Sequence, residues 1–404
     1  MSERVITPRS RGFLFVDSHP AGCQRLVHDA WASVPAPAPT ATEKEQVALV
    51  IGSSAGYGLA ATIAGLARAR IRGIAVSFEK PPGRRTATAG WYRTAATAEL
   101  ARRHGRDMMF LNGDAFADAM KQRVAELLTE RFGGRLDYLL YAVAAPRRTD
   151  PDTGVTYTSQ LKPIGAPHRT KTLVFDEHGP EVREIVVPPA EGDDIAQTVA
   201  VMGGADWARW VNHLADRRLL AEGFTTAALT YIGSPTTEAV YRRGTIGAAK
   251  ADLEATARTL NERLGRIAGR AVTSVNGAAV TQSSTAVPTI ALYTALLHAV
   301  LGDAMVPPIG QLVQLWDQFT SGRPLALDDE GRLRLDTWEL APPVQAALTA
   351  RWNEATTGNI SRLADLEWFR TQVHQLYGFA VPGISYDVPV ETDVPWPDPV
   401  DPPS

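Results

Sequence analysis

The feature that most constrains this chain is an alternation that runs from Gln46 to Val143. Short, continuously apolar runs recur there: QVALVIG (46–52), GIAVSFE (73–79), MMFLN (108–112) and LDYLLYAV (136–143). None shows the in–out pattern of a half-exposed strand, so each reads as a strand buried on both faces. Helix-length stretches separate them, among them LAATIAGLARAR and the amphipathic FADAMKQRVAELLTERFG. Alternation of this kind predicts a doubly wound parallel α/β sheet.

The flanks elaborate this plan. The first 45 residues read as an extension: RGFLFVDSHPAGC, one amphipathic stretch (CQRLVHDAWASV), then an exposed PAPAPTAT linker. Residues 46–144 form the first half of the sheet. The pattern breaks at 145–200, where KTLVFDEHGPEVREIVVPP predicts a hairpin around His178–Gly179 within a substrate-side insertion. A helix at DIAQTVAVM straddles the boundary, and residues 201–285 resume the pattern with a helix at WARWVNHLADRRLL, strands at TTAALTYIG and AVTSVNGAAVT, and the helix GAAKADLEATARTLNERLG. Residues 286–390 read as mainly helical apart from a strand at GRLRLDTWEL, and 391–404 as a disordered tail.

Bulk properties exclude several classes. At 404 residues, 45% apolar and 21% charged, the chain can build a full globular core. A net charge of −3 gives no basic excess for nucleic acid. The start lacks an apolar signal core, and VPTIALYTALLHAVLG is too short to span a bilayer. The single cysteine, Cys23, and eight histidines without ligand spacing give no disulfide framework and no metal site. A reducing cytoplasm is the expected compartment.

GSSAGYG (52–58) lies between a buried strand and a helix, where glycines let a backbone approach a pyrophosphate and helix N–H groups attract its charge. The second strand ends in Glu79, placed to bond adenosine ribose hydroxyls and repel a 2′-phosphate. Gly52–Gly56 also matches G-x-S-x-G, the nucleophile elbow of a hydrolase, with Ser54 as nucleophile and His213, His298 or His374 as base. That elbow normally follows several strands, and it leaves Gly58 and Glu79 unexplained.

YRRGTIGAAK sets Tyr241 and Lys250 nine positions apart. On one straight helix, nine steps of about 100° put them on opposite faces. To act together, Tyr241 must precede the helix and Lys250 must lie in its first turns, with Gly244 and Gly247 bending the chain. The bland reading is a packed tyrosine and a solvent-facing lysine. Asp114 either meets an adenine or caps a helix from Phe116, and both can hold. Arg147–Arg148 are a solvated pair or an anion site, and Trp91–Tyr92 pack.

Taken in order, GSSAGYG, FEKP, AGWY, NGDAF, YAVAAPRR, LKPIG, TYIG, the Tyr-x8-Lys pair and VTQSSTAVP resemble one family. It is that of the FabV-type enoyl-[acyl-carrier-protein] reductases and the related trans-2-enoyl-CoA reductases, and the resemblance runs from RGFLFVDSHPAGC to LYGFAVPGISYD. Its most specific element is the tyrosine–lysine gap, longer than in ordinary short-chain dehydrogenases and most other enoyl reductases. The resemblance implies a single enlarged Rossmann-type unit, short-chain-dehydrogenase-like, over 1–404, using NADH and generally monomeric. It implies a cofactor site of Gly52, Ser53, Ser54, Ala55, Gly56, Tyr57, Phe78, Glu79, Asp114, Ala115, Val143, Ala144, Lys250, Ala279, Val280 and Thr281. Tyr231 would touch the acyl substrate and Tyr241 would be the catalytic acid. The substrate implied is a trans-2-enoyl thioester of coenzyme A or acyl carrier protein. Relatives often carry lysine where this chain has Ala251 and Gly277, which keeps a different conjugated C=C substrate as an alternative. A free tyrosine ionises near ~10, so Lys250 is expected to bring Tyr241 closer to working pH.

Overall fold

In the computed structural model, which describes residues 3–37, 45–176 and 179–397, the apolar runs form four adjacent strands, from the middle to one edge, of a seven-stranded sheet. Its strands are β1 (Val47–Ile51), β2 (Arg72–Ser77), β3 (Met108–Asn112), β4 (Leu136–Tyr141), β5 (Leu220–Thr230), β6 (Arg270–Val275) and β7 (Arg332–Arg334). They run parallel in the order β7-β6-β5-β4-β1-β2-β3. The order reverses between β1 and β4, so a crevice opens there at the carboxyl ends of the strands.

The helices around the sheet are α1 (Gly56–Ala64), α2 (Ala89–Arg103), α3 (Asp118–Phe132), α4 (Ala205–Asp216), α5 (Thr245–Leu264), α6 (Ile290–Leu301), α7 (Pro308–Thr320) and α8 (Pro342–Glu354). Every residue of β1 and β4 is buried. The pleat explains why both faces must be apolar. Val47, Leu49 and Ile51 point to one face and join Val124 and Leu128 of α3, Trp207 and Trp210 of α4, and Leu253 of α5. Ala48 and Val50 point to the other and join Ala60 and Ala61 of α1, and Leu312 and Trp316 of α7. A polar residue at any of these positions would bury an unpaired group, at a cost of roughly 1–3 kcal/mol.

The insertion is part of the body. Its hairpin, His168–Asp176 with Gly179–Val187, puts Leu173 into a third apolar cluster shared with Tyr241 and α6. Lys171 Nζ donates to the carbonyls of Trp352, Asn353 and Ala355, at 2.9, 3.0 and 2.9 Å, and so caps α8. The hairpin turn at 177–178 and linker residues 38–44 lie outside the described residues. No single helix among the described residues is long and apolar enough to cross a membrane.

Several elements differ from expectation. The helix after β1 starts at Gly56 and widens into a π-turn at Gly65–Ala69. α2 has no sequence counterpart in the apolar pattern because it is buried nearly all round and rich in Ala and Thr. Only three residues of GRLRLDTWEL pair as a strand. The expected disordered tail divides: residues up to Pro397 are packed, and 398–404 lie outside the described residues. Glu3–Arg4 pair with Val390–Glu391, and Trp396 Nε1 donates to the carbonyl of Phe110 on β3 at 2.7 Å.

Candidate active site

The glycine turn sits at the switch point. Gly52, at φ +87°, leaves β1, and a Cβ there would lie 2.6 Å from the Ala142 carbonyl oxygen just past β4. A Cβ on Gly58 would lie 1.9 Å from the Gly52 oxygen. Both positions need glycine for a close backbone approach. The turn is pinned by Gly52 and Ser53 N–H groups donating to the Val76 carbonyl at 2.8 and 3.1 Å. Ala55 then starts α1 without a side-chain cap, so no side chain occupies the first N–H groups, the arrangement that receives an anion. Val143 and Ala144 follow β4 beside this turn. Thr281, beyond β6 with Ala279 and Val280, packs its methyl group near Gly56.

Past β2, Phe78 is 75% exposed. The backbone of Glu79 is held at both ends by the Asn112 amide of β3, at 2.7 and 2.9 Å. Its carboxylate accepts from Ser54 Oγ at 2.5 Å and from Thr88 Oγ1, and it abuts Gly90 in the first turn of α2. Asp114 accepts from the Phe116 N–H at 2.9 Å, but the helix itself begins at Asp118, so it ties the preceding turn rather than capping α3. Beneath that turn, Lys121 bonds the carbonyls of Ala115 and Phe116 at 2.9 and 3.0 Å and pairs with buried Asp206 at 2.8 Å. Sequence reasoning missed Lys121, which looks like any polar position on an amphipathic helix.

The hydrolase reading gains no support from these side chains. The Ser54 hydroxyl is spent on Glu79. His298 instead bonds Asp365 at 2.9 Å and stacks on Trp368, while His374 packs against Phe15.

The tyrosine–lysine pair takes the arrangement its spacing demands. β5 ends at Thr230, and Gly233 (φ +79°) leaves room for the Cβ of Tyr241, 2.7 Å from where its own Cβ would stand. Tyr241 is buried in the turn before α5, and Lys250 lies in the second turn of that helix, half-buried. Side chains at Gly244 and Gly247 would meet the Val240 and Arg242 carbonyl oxygens at 2.2 and 2.1 Å. The two glycines therefore let the turn fold back onto the helix start. Thr245 N–H donates to Lys162 at 2.9 Å, which ties the insertion to the same point.

Tyr231 meets Tyr241 edge to face, with centroids 4.9 Å apart. Its hydroxyl donates to Glu339 Oε1 at 2.8 Å, and Tyr293 of α6 donates to the same oxygen at 2.6 Å. The Ala278 N–H reaches Glu339 Oε2 at 2.5 Å. Burial, opposed by these hydrogen bonds, pushes Glu339 up to about 7. Glu339 has no sequence signature, because its environment comes from segments far apart in the chain.

One expectation is overturned. Burial, and then the charge of Glu339, push Tyr241 upward, and Lys250 is not among the groups acting on it. Tyr241 therefore stays a neutral donor. Burial lowers Lys250 to about 8. Arg148 is buried, donating to the Ala200 carbonyl at 2.9 Å, and only Arg147 remains exposed. Trp91 and Tyr92 pack as expected, bonding Val394 and Thr392. The two positions where the family resemblance leads to an expectation of lysine, Ala251 and Gly277, also differ in kind. Ala251 is exposed on α5, whereas a Cβ on Gly277 would lie 2.3 Å from the Trp338 indole.

The chain is similar to known proteins along nearly its whole length. Residues 85–320 match a family model described as the trans-2-enoyl-CoA reductase catalytic region, and 5–84 match the NAD(P)H binding domain of trans-2-enoyl-CoA reductase. Residues 327–390 match a model described as an enoyl reductase FAD binding domain. That segment does not fit a flavin: it offers no glycine turn between a sheet strand and a helix. An enoyl-[acyl-carrier-protein] reductase [NADH] of Streptomyces avermitilis is 57% identical over 97% of this chain and 99% of its own length. One from Flavobacterium johnsoniae is 42% identical over 95% and 96%. The crystal structure of Treponema denticola trans-2-enoyl-CoA reductase in complex with NAD superposes with a TM-score of 0.90 at 37% identity, covering 96% of this chain and 98% of that one. The chain belongs to the family of NADH-dependent enoyl-[acyl-carrier-protein] and trans-2-enoyl-CoA reductases.

Proposed function

We propose that this chain reduces the C2=C3 double bond of trans-2-enoyl thioesters with NADH. The observation that carries the reading is that the glycine turn after β1 and the Tyr231–Tyr241 pair after β5 lie at the carboxyl ends of strands on either side of β4, with Tyr57 of the turn close enough to Tyr241 to feel its charge. The N–H groups at the start of α1 would receive the pyrophosphate. A carboxylate offers about four acceptor positions, so Glu79 keeps two for ribose hydroxyls after Ser54 and Thr88. Phe78 would cover the adenine and Lys250 would bond the nicotinamide ribose. When bound, NADH would supply the hydride that reaches the β carbon, and the enolate left behind would take the proton for its α carbon from solvent. As charge develops on the thioester oxygen, the neutral Tyr241 hydroxyl donates to it, where stabilisation has most effect. Tyr231 positions the acyl group. A cytoplasmic monomer goes with this reading, and sedimentation of the purified chain checks the monomer.

The test is the fall in NADH absorbance with enoyl-coenzyme A thioesters of graded length, with carrier-protein thioesters alongside. Turnover with either carrier supports the reading and names the carrier. Oxidation of NADH only with non-thioester conjugated alkenes would transfer the proposal to that substrate class.

A further inference from the structure

Glu339 is fully buried, lies in no ion pair among the described residues, and its carboxylate takes three hydrogen bonds from three separate segments. Asp336, on the same stretch, is occupied by Arg334 in a bidentate pair at 2.8 and 2.7 Å. The other groups acting with or on Glu339 are Tyr231 after β5, Tyr241 before α5, Tyr293 on α6 and Tyr57 on α1. All are phenols whose ionised forms burial disfavours. Glu339 is therefore the group in this cluster that can change charge near neutral pH.

Its partners are not equivalent. The Tyr293 oxygen already accepts from Gln345 Nε2 at 3.3 Å, and its proton goes to Glu339. Tyr231 has only its bond to Glu339 among the described residues. When Glu339 is a carboxylate, the Tyr231 O–H is committed to it. When Glu339 is protonated, its own O–H can donate to the Tyr231 oxygen, and the Tyr231 proton is released to another acceptor. We propose that Glu339 is a positioning residue for the acyl site, its protonation turning the Tyr231 hydroxyl from Glu339 toward the thioester oxygen beside Tyr241. The protonated form also removes the negative charge that would oppose a developing enolate. No bond of the substrate is made or broken by Glu339. It takes a proton from solvent and keeps it through the turnover. The inference rests on the proposed enoyl reduction and assigns a role within it.

The test is kcat/KM against pH for the enoyl thioester, with NADH affinity measured in parallel. The parent enzyme is expected to lose activity above a group near 7, falling about tenfold per pH unit, with Lys250 adding a second limb near 8. Glu339→Gln presents an amide that donates to Tyr231 at every pH, so the first limb should vanish while the second stays. Tyr293→Phe keeps Glu339 but removes one donor to its carboxylate, so the first limb should move to higher pH. An unchanged first limb in Glu339→Gln, or no upward movement in Tyr293→Phe, overturns the proposal. If the parent binds NADH but reduces no enoyl thioester, it is the functional reading that fails, and the pH comparison is not reached.

Discussion

Replacing Gly90 by alanine isolates what Glu79 does. An added Cβ would stand 2.1 Å from Glu79 Oε1, 2.4 Å from Cδ and 2.8 Å from Oε2. Ordinary contact needs more than an additional ångström, and the backbone of Glu79 cannot give way because Asn112 holds it at both ends. The carboxylate must swing, leaving Ser54 Oγ and Thr88 Oγ1. Hydrogen bonds to a charged group contribute about 1.5–3 kcal/mol each, and a displaced exposed carboxylate recovers much of that from water. We expect a loss of stability of about 1–3 kcal/mol and, more telling, a change in cofactor choice. The parent should prefer NADH over NADPH by at least about tenfold, equivalent to ~1.4 kcal/mol, since a fixed carboxylate beside a 2′-phosphate is repulsive. In Gly90→Ala that ratio of kcat/KM should approach unity. Gly83→Ala, where nothing stands within 4 Å of the new Cβ, is the control and should leave the ratio unaltered. A tenfold NADH preference that survives Gly90→Ala in a folded protein would refute the reasoning, as would a parent with no preference.

Tyr241→Phe should leave NADH affinity nearly unchanged and lower kcat by roughly 10²-fold or more, the scale for losing one oxyanion donor, as read by steady-state kinetics. Lys250→Met should weaken NADH binding. In the parent, the same affinity should fall as pH rises through about 8, because burial depresses the lysine and its charge is lost there, a fall the variant lacks in fluorescence titration. Gly277→Lys should lower the melting temperature rather than restore a family feature, since its Cβ would overlap the Trp338 ring. Ser54→Ala should change NADH binding modestly and leave no esterase activity to lose.

Legibility followed the range of the interaction. Strands buried on both faces write their burial into consecutive residues, so β1 and β4 could be read directly. The glycine turn and the tyrosine–lysine gap are local devices whose bond geometry leaves few alternatives. Lys121, Glu339 and Trp338 could not be read, because their roles depend on partners such as Asp206, Tyr231 and Gly277, which the fold alone brings near. The same limit explains the error over Tyr241. Spacing placed it beside the helix of Lys250, but its titration is governed by burial and by a carboxylate almost a hundred residues later.

The clasp between Trp396 and Phe110 sets a clock on synthesis. β3 is an outer strand of the sheet, and one of its carbonyls is covered by an indole 286 residues further on. At translation speeds of about 5–20 residues per second, that cover emerges roughly 15–60 s after the strand it protects. During that interval a row of peptide groups along β3 lacks this part of its cover, the condition under which one nascent chain can pair with another. A ribosome that stops before Trp396 would release a chain whose cofactor half is complete and whose sheet has lost this guard.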